Sequence, residues 1–306
     1  MSTKSVIKSV VYVKNQIVFS GQRYPEIARV NNRITCETVK QFLFEKDIIT
    51  LDMLENQNLD YQVIAWSLLK AFQRGLLSLN ATKQTGIINN TPLRLSSSLE
   101  GKMKDVWAFS TLSLVNPFCL RRMQIEEFVC SHCYVKRSLH IDAILNYIQN
   151  FYVLSMDKLP EEWIPVLNPK NVSRHPIIRL ESMGDLCSKQ QAKAYIQIAD
   201  RNSLFNFAIW TKNPKVFADA VDECGKPVNL SSVLSMSKVN TLEDVKRWDK
   251  YFDHRFAVVD DTALKEMWLM NPDFYACQCG PRSCITCQKC YHKDSTITTA
   301  VEMLRK

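Results

Sequence analysis

The amino-acid sequence predicts an α/β protein whose core is a parallel sheet wound as a full or partial (β/α) barrel, on three observations. Strand-like runs begin near residues 177, 204, 229 and 255, separated by stretches with helical patterning. Their spacing of about 26 residues is what a strand needs to feed one crossover helix. The runs are nearly continuously apolar, as strands buried on both faces require. Polar residues then collect where those runs end, the place where a barrel carries its functional loops. A doubly wound open sheet is the competing arrangement.

Residues 6–19 alternate β-branched and polar side chains and read as one or two short strands, with a hairpin turn near Lys14, Asn15 and Gln16. Val39, Phe42 and Leu43, then Val63, Ile64, Trp66, Leu68, Leu69 and Phe72, fit two or three amphipathic helices ending at Gly75. Residues 80–101 are rich in Ser, Thr, Asn and Gly, marking a boundary. The α/β repeat opens with a strand over 107–115, a cysteine-bearing loop over 116–134, and a helix with Ile141, Ile144, Leu145 and Ile148 on one face. A strand over 176–183 follows, then a helix capped by Ser188 with Gln191 three residues on and Ala192, Tyr195, Ile196 and Ala199 as its apolar stripe. The next strand, 204–211, leads through Asn213 and Pro214 into a helix carrying Val216, Phe217, Ala220 and Val221. A strand over 228–236, a capping box over 241–244, a helix with Val245, Trp248 and Phe252, and a fifth strand over 255–259 complete the series. The chain therefore divides into an α+β region (1–104), a barrel-like domain (105–270) and a Cys-rich metal-binding segment (271–306).

Over 306 residues, 46% hydrophobic and 23% charged composition is that of a folded protein. No apolar run approaches the roughly 18 residues of a membrane span, so no membrane partner is expected. Seven glycines, with no P-loop or G-x-G-x-x-G string, remove support for nucleotide cradles. Residues 1–9 carry lysines but no apolar core, so no secretory signal is read and the expected compartment is the cytoplasm. The net charge of +8 permits a nucleic-acid partner. Lys4, Lys8, Lys14, Arg23, Arg29, Arg33 and Lys40 face only Glu26 and Glu37 near the amino end, either as a phosphate-binding face or as lysines guarding edge strands.

In a reducing compartment, eleven cysteines point to metal binding or catalysis rather than disulfides. Cys36, Cys187 and Cys224 stand alone, and the rest form two groups. Cys284, Cys287 and Cys290 repeat at the spacing of the bacterial ferredoxin run, with Cys277 and Cys279 upstream to supply further ligands. Four soft thiolates suit an iron-sulfur cluster or zinc equally well. Cys119, Cys130 and Cys133 follow the first strand of the α/β series, which makes them the functional candidates; a zinc completed by His132 or a distant cysteine is the structural alternative. Arg121, Arg122, Lys136 and Arg137 flank them and would favour thiolates or an anion. The two groups are expected to hold separate centres, the alternative being that they meet in space. At the end of the second strand, Arg179, Glu181, Ser182, Gly184 and Asp185 break an otherwise buried segment. Burying such groups costs several kcal/mol unless they are paired or functional. Strand alternation puts Arg179, Glu181 and Met183 on one face and Ser182 on the other. Lys212 and the Ser235 to Lys238 stretch offer polar groups at the same rim.

Residues 109–119, Cys130-Ser131-His132-Cys133-Tyr134, Arg179-Leu180-Glu181-Ser182-Met183-Gly184-Asp185-Leu186, Trp210-Thr211-Lys212 and the final cysteine-rich stretch, in that order, resemble the phage gene product 88 family, which is uncharacterised in function. The resemblance runs from Asp105 to the carboxyl end. The family's layout is similar to radical S-adenosylmethionine proteins: a strand, a three-cysteine loop ending Cys-x-x-Cys-Tyr, a helix, then a glycine-acid motif. By that likeness Cys119, Cys130 and Cys133 correspond to ligands of a 4Fe-4S cluster. Gly184 with Glu181 or Asp185 corresponds to the region that holds the methionyl amino group. Ser182 and Tyr134 join Gly184 as candidates for binding the S-adenosylmethionine cosubstrate; Arg179, Glu181, Asp185 and Lys212 are the catalytic candidates. Ten residues separate Cys119 from Cys130, where the radical family has three. The carboxyl-terminal cysteines are similar to auxiliary-cluster extensions. The expectation is a radical-SAM-like enzyme of unknown substrate, located in the host cytoplasm. Against it stands a zinc- or cluster-stabilised protein that binds nucleic acid or a host partner without catalysis.

Overall fold

The structure is a computed structural model that describes residues 17–18, 22–97, 102–137, 139–170, 176–241, 246–260, 262–263, 274–277, 283–293 and 299–303. Near the amino end, β1 (Ile17–Val18) pairs in parallel with β2 (Leu79–Asn80), and the rest of the expected 6–19 hairpin lies outside the described residues. Between them run α1 (Cys36–Glu45), α2 (Leu51–Glu55) and α3 (Tyr61–Gln73). Thr35 and Thr38 cap α1 reciprocally, and the Asp60 side chain accepts from the Gln62 amide to start α3. Gly75 ends α3 as expected: it takes φ 66°, its amide donates to the Phe72 carbonyl, and the Leu76 amide reaches back to Ala71.

An eight-stranded sheet follows, in the order β3-β4-β5-β6-β7-β8-β10-β9. Its strands are β3 (Leu95–Ser97), β4 (Trp107–Phe109), β5 (Ile177–Leu180), β6 (Asn206–Thr211), β7 (Leu230–Ser235), β8 (His254–Val259), β9 (Phe274–Ala276) and β10 (Thr299–Met303). Only the β3–β4 pair is antiparallel. From β4 to β8 the spatial order follows the chain without reversal, which is one-way winding and not the doubly wound arrangement. The sheet is open, with β3 and β9 at its edges, so a closed barrel is not formed among the described residues.

The crossover helices α5 (Ile141–Leu154), α6 (Lys189–Arg201) and α7 (Pro214–Cys224) pack side by side. Ser188 caps α6 by accepting from the Gln191 amide, and Pro214 opens α7. Ile178, Leu180, Phe207 and Ile209 join the core under these helices, whereas Ile177, Ala208 and Trp210 turn to the opposite face, against Val106 and Tyr291. The strand read over 107–115 stops at Phe109; residues 110–115 are buried but irregular. The helix expected near 245–252 is a single turn of 3-10 helix (Lys246–Trp248), and residues 242–244 of its capping box, with Val245, lie outside the described residues.

Two buried amides on α5 grip the segments before it. Gln149 Oε1 accepts from the Asn80 amide at 2.7 Å and its Nε2 donates to the carbonyls of Asn80 and Pro92. Asn150 accepts from the Arg94 amide at 2.7 Å and donates to the carbonyls of Arg94 and Ser110, both at 2.9 Å. These irregular backbones cannot satisfy one another, so the helix supplies the partners. One core runs from Tyr24 through α3 and α5 to α7.

Candidate functional site

The carboxyl ends of the parallel strands open into a cavity of about 530 Å³. Cys119, Cys130 and Cys133 line it from the β4–α5 connection, and Cys277, Cys284, Cys287 and Cys290 from the segment around β9 and the short helix α8 (Cys284–Cys287). The two sequence groups thus line one cavity. Cys279 lies outside the described residues; Cys36, Cys187 and Cys224 are not in the wall. Electrostatic contact runs within each group, from Cys119 to Cys130 to Cys133 and from Cys290 to Cys277, Cys284 and Cys287. Among the described residues no three His, Cys, Asp or Glu side chains are drawn in tightly enough to hold a metal ion as they stand.

Cys119 is placed by the start of α4 (Pro117–Met123). Asn116 accepts from the amides of Phe118 and Cys119 at 2.9 and 3.3 Å, and its Nδ2 donates to the Asp185 carbonyl at 2.6 Å. Beyond α4, the Val129 amide donates to the Ser237 carbonyl at 2.9 Å, which fixes the turn bearing Cys130 to the end of β7. Arg122, read as a thiolate-favouring charge, is sandwiched 4.6 Å from the Phe118 ring and 4.9 Å from Phe128, and donates to the Ser237 hydroxyl. Its charge also pulls the Cys130 pKa down, as expected. The Tyr134 hydroxyl donates to the Ser182 carbonyl, and Ser182 is held by Ser110 through a 2.6 Å hydroxyl pair and a 3.0 Å amide bond. His132 faces the cavity and contacts the Ser131 hydroxyl.

The alternation expected at the end of β5 fails. Glu181 takes φ 59°, a conformation rare outside glycine. The chain therefore turns its carboxyl away from Arg179 and into a shell formed by Thr111 and α6. Glu181 accepts from the Thr111 amide and hydroxyl, from Gln191 Nε2 and from the Tyr195 hydroxyl. Burial pushes its pKa up to about 7 against the pull of these donors. Gly184 is required beside it: a Cβ there would lie 2.6 Å from Glu181 Oε2 and 3.0 Å from the Thr111 carbonyl. Asp185 is a fastener, accepting from Thr211 Oγ1 at 2.5 Å and from the amides of Lys212 and Leu186 at 3.0 and 2.8 Å. It ties the end of β5 to that of β6.

Arg179, the other half of the expected pair, lies with its guanidinium 3.3 Å from the centre of the Trp210 ring. Each cysteine group has a cation nearby. Burial raises the thiol pKa of Cys119 and of Cys130, and the Lys212 charge works against it at both. Burial likewise raises Cys284, and pushes Cys290 up to about 12, with Arg179 opposing. A bound soft cation would reverse this, because it stabilises the thiolate directly.

The amino-terminal basic residues are partly spent on the fold. Lys40 is buried and donates to the Asn56 carbonyl at 2.8 Å, and Arg29 donates to the carbonyls of Arg23 and Asn32; Lys4, Lys8 and Lys14 lie outside the described residues. Phe252 packs on Phe217 at 5.2 Å and the buried Tyr251 donates to Asp222, so these aromatics are packing residues. Thr111, Asn116 and Tyr195 were not singled out as site residues by the sequence. Only Asn116 carried a usable signal, as Asn directly before Pro at a helix start.

The family model described as Gene product 88 matches residues 108–300. Among curated proteins and among solved structures, no match is found. No helix among the described residues is long and apolar enough to cross a membrane.

Proposed function

This chain belongs to the gene product 88 family, and from that footing we propose that it is an iron-sulfur protein acting as a radical-SAM-like enzyme on an unidentified substrate. The observation that carries the reading is the convergence of seven described cysteines on one cavity at the carboxyl ends of parallel strands. The donor set fits such a group. Soft thiols dominate, and Lys212 and Arg179 stand near enough to offset the negative charge of a thiolate complex. Cys119, Cys130 and Cys133 would hold the reactive cluster; Cys277, Cys284, Cys287 and Cys290, joined by Cys279, would hold the auxiliary one. What such a cluster supplies when bound is one-electron chemistry at an iron with an open position.

The chain's own residues supply binding and orientation. Gly184 lines the cavity wall, where the amino group of S-adenosylmethionine would be received, and the enclosed Glu181 holds the turn behind it. Tyr134 and Ser182 hold the cysteine loop to that wall. Asp185 fixes the backbone of Lys212 and so sets where its side chain enters. The methionine and aromatic lining would limit the access of water to the centre.

Anaerobic purification with iron, sulfide and zinc analysis tests the reading, followed by reduction in the presence of S-adenosylmethionine. Iron and sulfide in the protein and release of 5′-deoxyadenosine are expected. Stoichiometric zinc without sulfide overturns it and leaves the zinc-stabilised scaffold; steeply salt-dependent nucleic-acid affinity would then assign that scaffold a partner.

A further inference from the structure

Arg179 stands on β5 on the face turned from the crossover helices, inside the cavity wall. Its guanidinium lies against Trp210, which is clamped from elsewhere by the buried Tyr291 at 5.5 Å. Stacking occupies the flat face of a guanidinium and leaves the N–H edge for in-plane hydrogen bonds. One part of that edge meets the Tyr291 hydroxyl. Nε is buried without a hydrogen-bond partner, and among the described residues no carboxylate lies within 4.0 Å of the group.

The acids of the same cavity have other work. Glu302 pairs with Lys102, Glu181 is enclosed by Thr111, Gln191 and Tyr195, and Asp185 is bound to Thr211 and backbone amides. A partly buried cation, oriented by stacking and lacking an ion pair, is costly unless an anion arrives to meet it. The neighbouring wall is apolar and adaptable, with Met103, Met183, Met236, Phe256 and Val258.

We propose that this cavity binds a ligand with a carboxylate head and an apolar body, and that Arg179 is its anion receptor. The planar carboxylate accepts two parallel N–H bonds from the free edge of the guanidinium, and the methionine wall takes the apolar part. The inference deepens the reading above by naming a ligand class, but it rests on Arg179, Trp210 and the cavity wall and needs no metal.

Calorimetric titration of the full chain, as purified, with sodium octanoate tests it. The comparators are 1-octanol, which has the body without the charge, acetate, which has the charge without the body, and inorganic phosphate. Saturable binding of one octanoate per chain is expected, with 1-octanol and acetate each at least roughly tenfold weaker. Arg179→Gln should weaken octanoate by roughly tenfold or more, and Arg179→Lys by less, because a lysine keeps the charge but not the fork. If Arg179→Gln fails to fold, as judged by circular dichroism, the octanoate-to-octanol ratio on the unaltered protein and the Arg179→Lys series still decide. Equal binding of octanoate and octanol overturns the proposal, as does octanoate affinity unchanged in a folded Arg179 variant. Phosphate binding with octanoate inert overturns the carboxylate assignment. Metal content, measured on the same preparation, reports on the iron-sulfur reading separately.

Discussion

The hydroxyl of Tyr134 donates to the carbonyl of Ser182, so the loop that carries Cys130 and Cys133 is latched to the turn after β5. Two segments distant in sequence are thereby held at one rim of the cavity. Tyr134→Phe removes the latch alone. A loss of about 1 kcal/mol in urea unfolding is expected, together with faster loss of bound metal on dialysis against a chelator. Unchanged metal retention would mean that the loop is held by its other contacts.

Glu181 gives the fold a pH dependence with a defined sign. Its pKa in the folded protein, about 7, lies above the ordinary 4.5, so the folded state keeps the proton longer than the unfolded chain. The stabilisation from this group is complete below about pH 4.5 and is lost as pH rises to about 7, amounting to at most about 3 kcal/mol. Glu181→Gln should be less stable throughout, because one amide cannot accept from all the donors around it, and should lack that slope. Denaturant unfolding at several pH values on both proteins measures the difference.

Gly184→Ala should cost about 2 kcal/mol through steric pressure on Glu181 and Thr111. Thermal unfolding reads the cost. Combining it with Glu181→Ala, which removes one of the close contacts and leaves those with Thr111, should give a total smaller than the sum of the two single effects.

Cys130→Ala with Cys133→Ala, and separately Cys287→Ala with Cys290→Ala, should each remove about half of the bound iron and leave a folded protein. Loss of all iron from either pair, with circular dichroism unchanged, would show that the cysteines around the shared cavity serve one centre.

Much of the scaffold is legible in the sequence because burial writes periodicity directly. The runs read near 177, 204, 229 and 255 become strands starting at Ile177, Asn206, Leu230 and His254. The stripe Ala192, Tyr195, Ile196 and Ala199 is buried on α6. What escapes is set by tertiary hydrogen bonding. The positive φ at Glu181 is maintained by Thr111, Gln191 and Tyr195, and strand alternation carries no trace of it. Arg122 reads as a charge near thiols and acts as one on Cys130, but its clamp between Phe118 and Phe128 leaves no mark in the local pattern. The meeting of the two cysteine groups depends on strand order in space, which local pattern does not encode.

That strand order also imposes a sequence of events on assembly. β9 pairs with β10 and β10 with β8, so the earlier strand reaches the sheet only through the later one. The Cys277 amide donates to the Val301 carbonyl at 2.6 Å, and the Cys284 amide reaches the Lys102 carbonyl at 2.8 Å. Both bonds join residues far apart along the chain, and such long-range closures form slowly because their loop entropy is lost before any contact repays it. During synthesis, the thiols after β8 emerge before the strand that docks them. A soft metal ion meeting the chain in that interval would encounter thiols not yet docked rather than a finished wall.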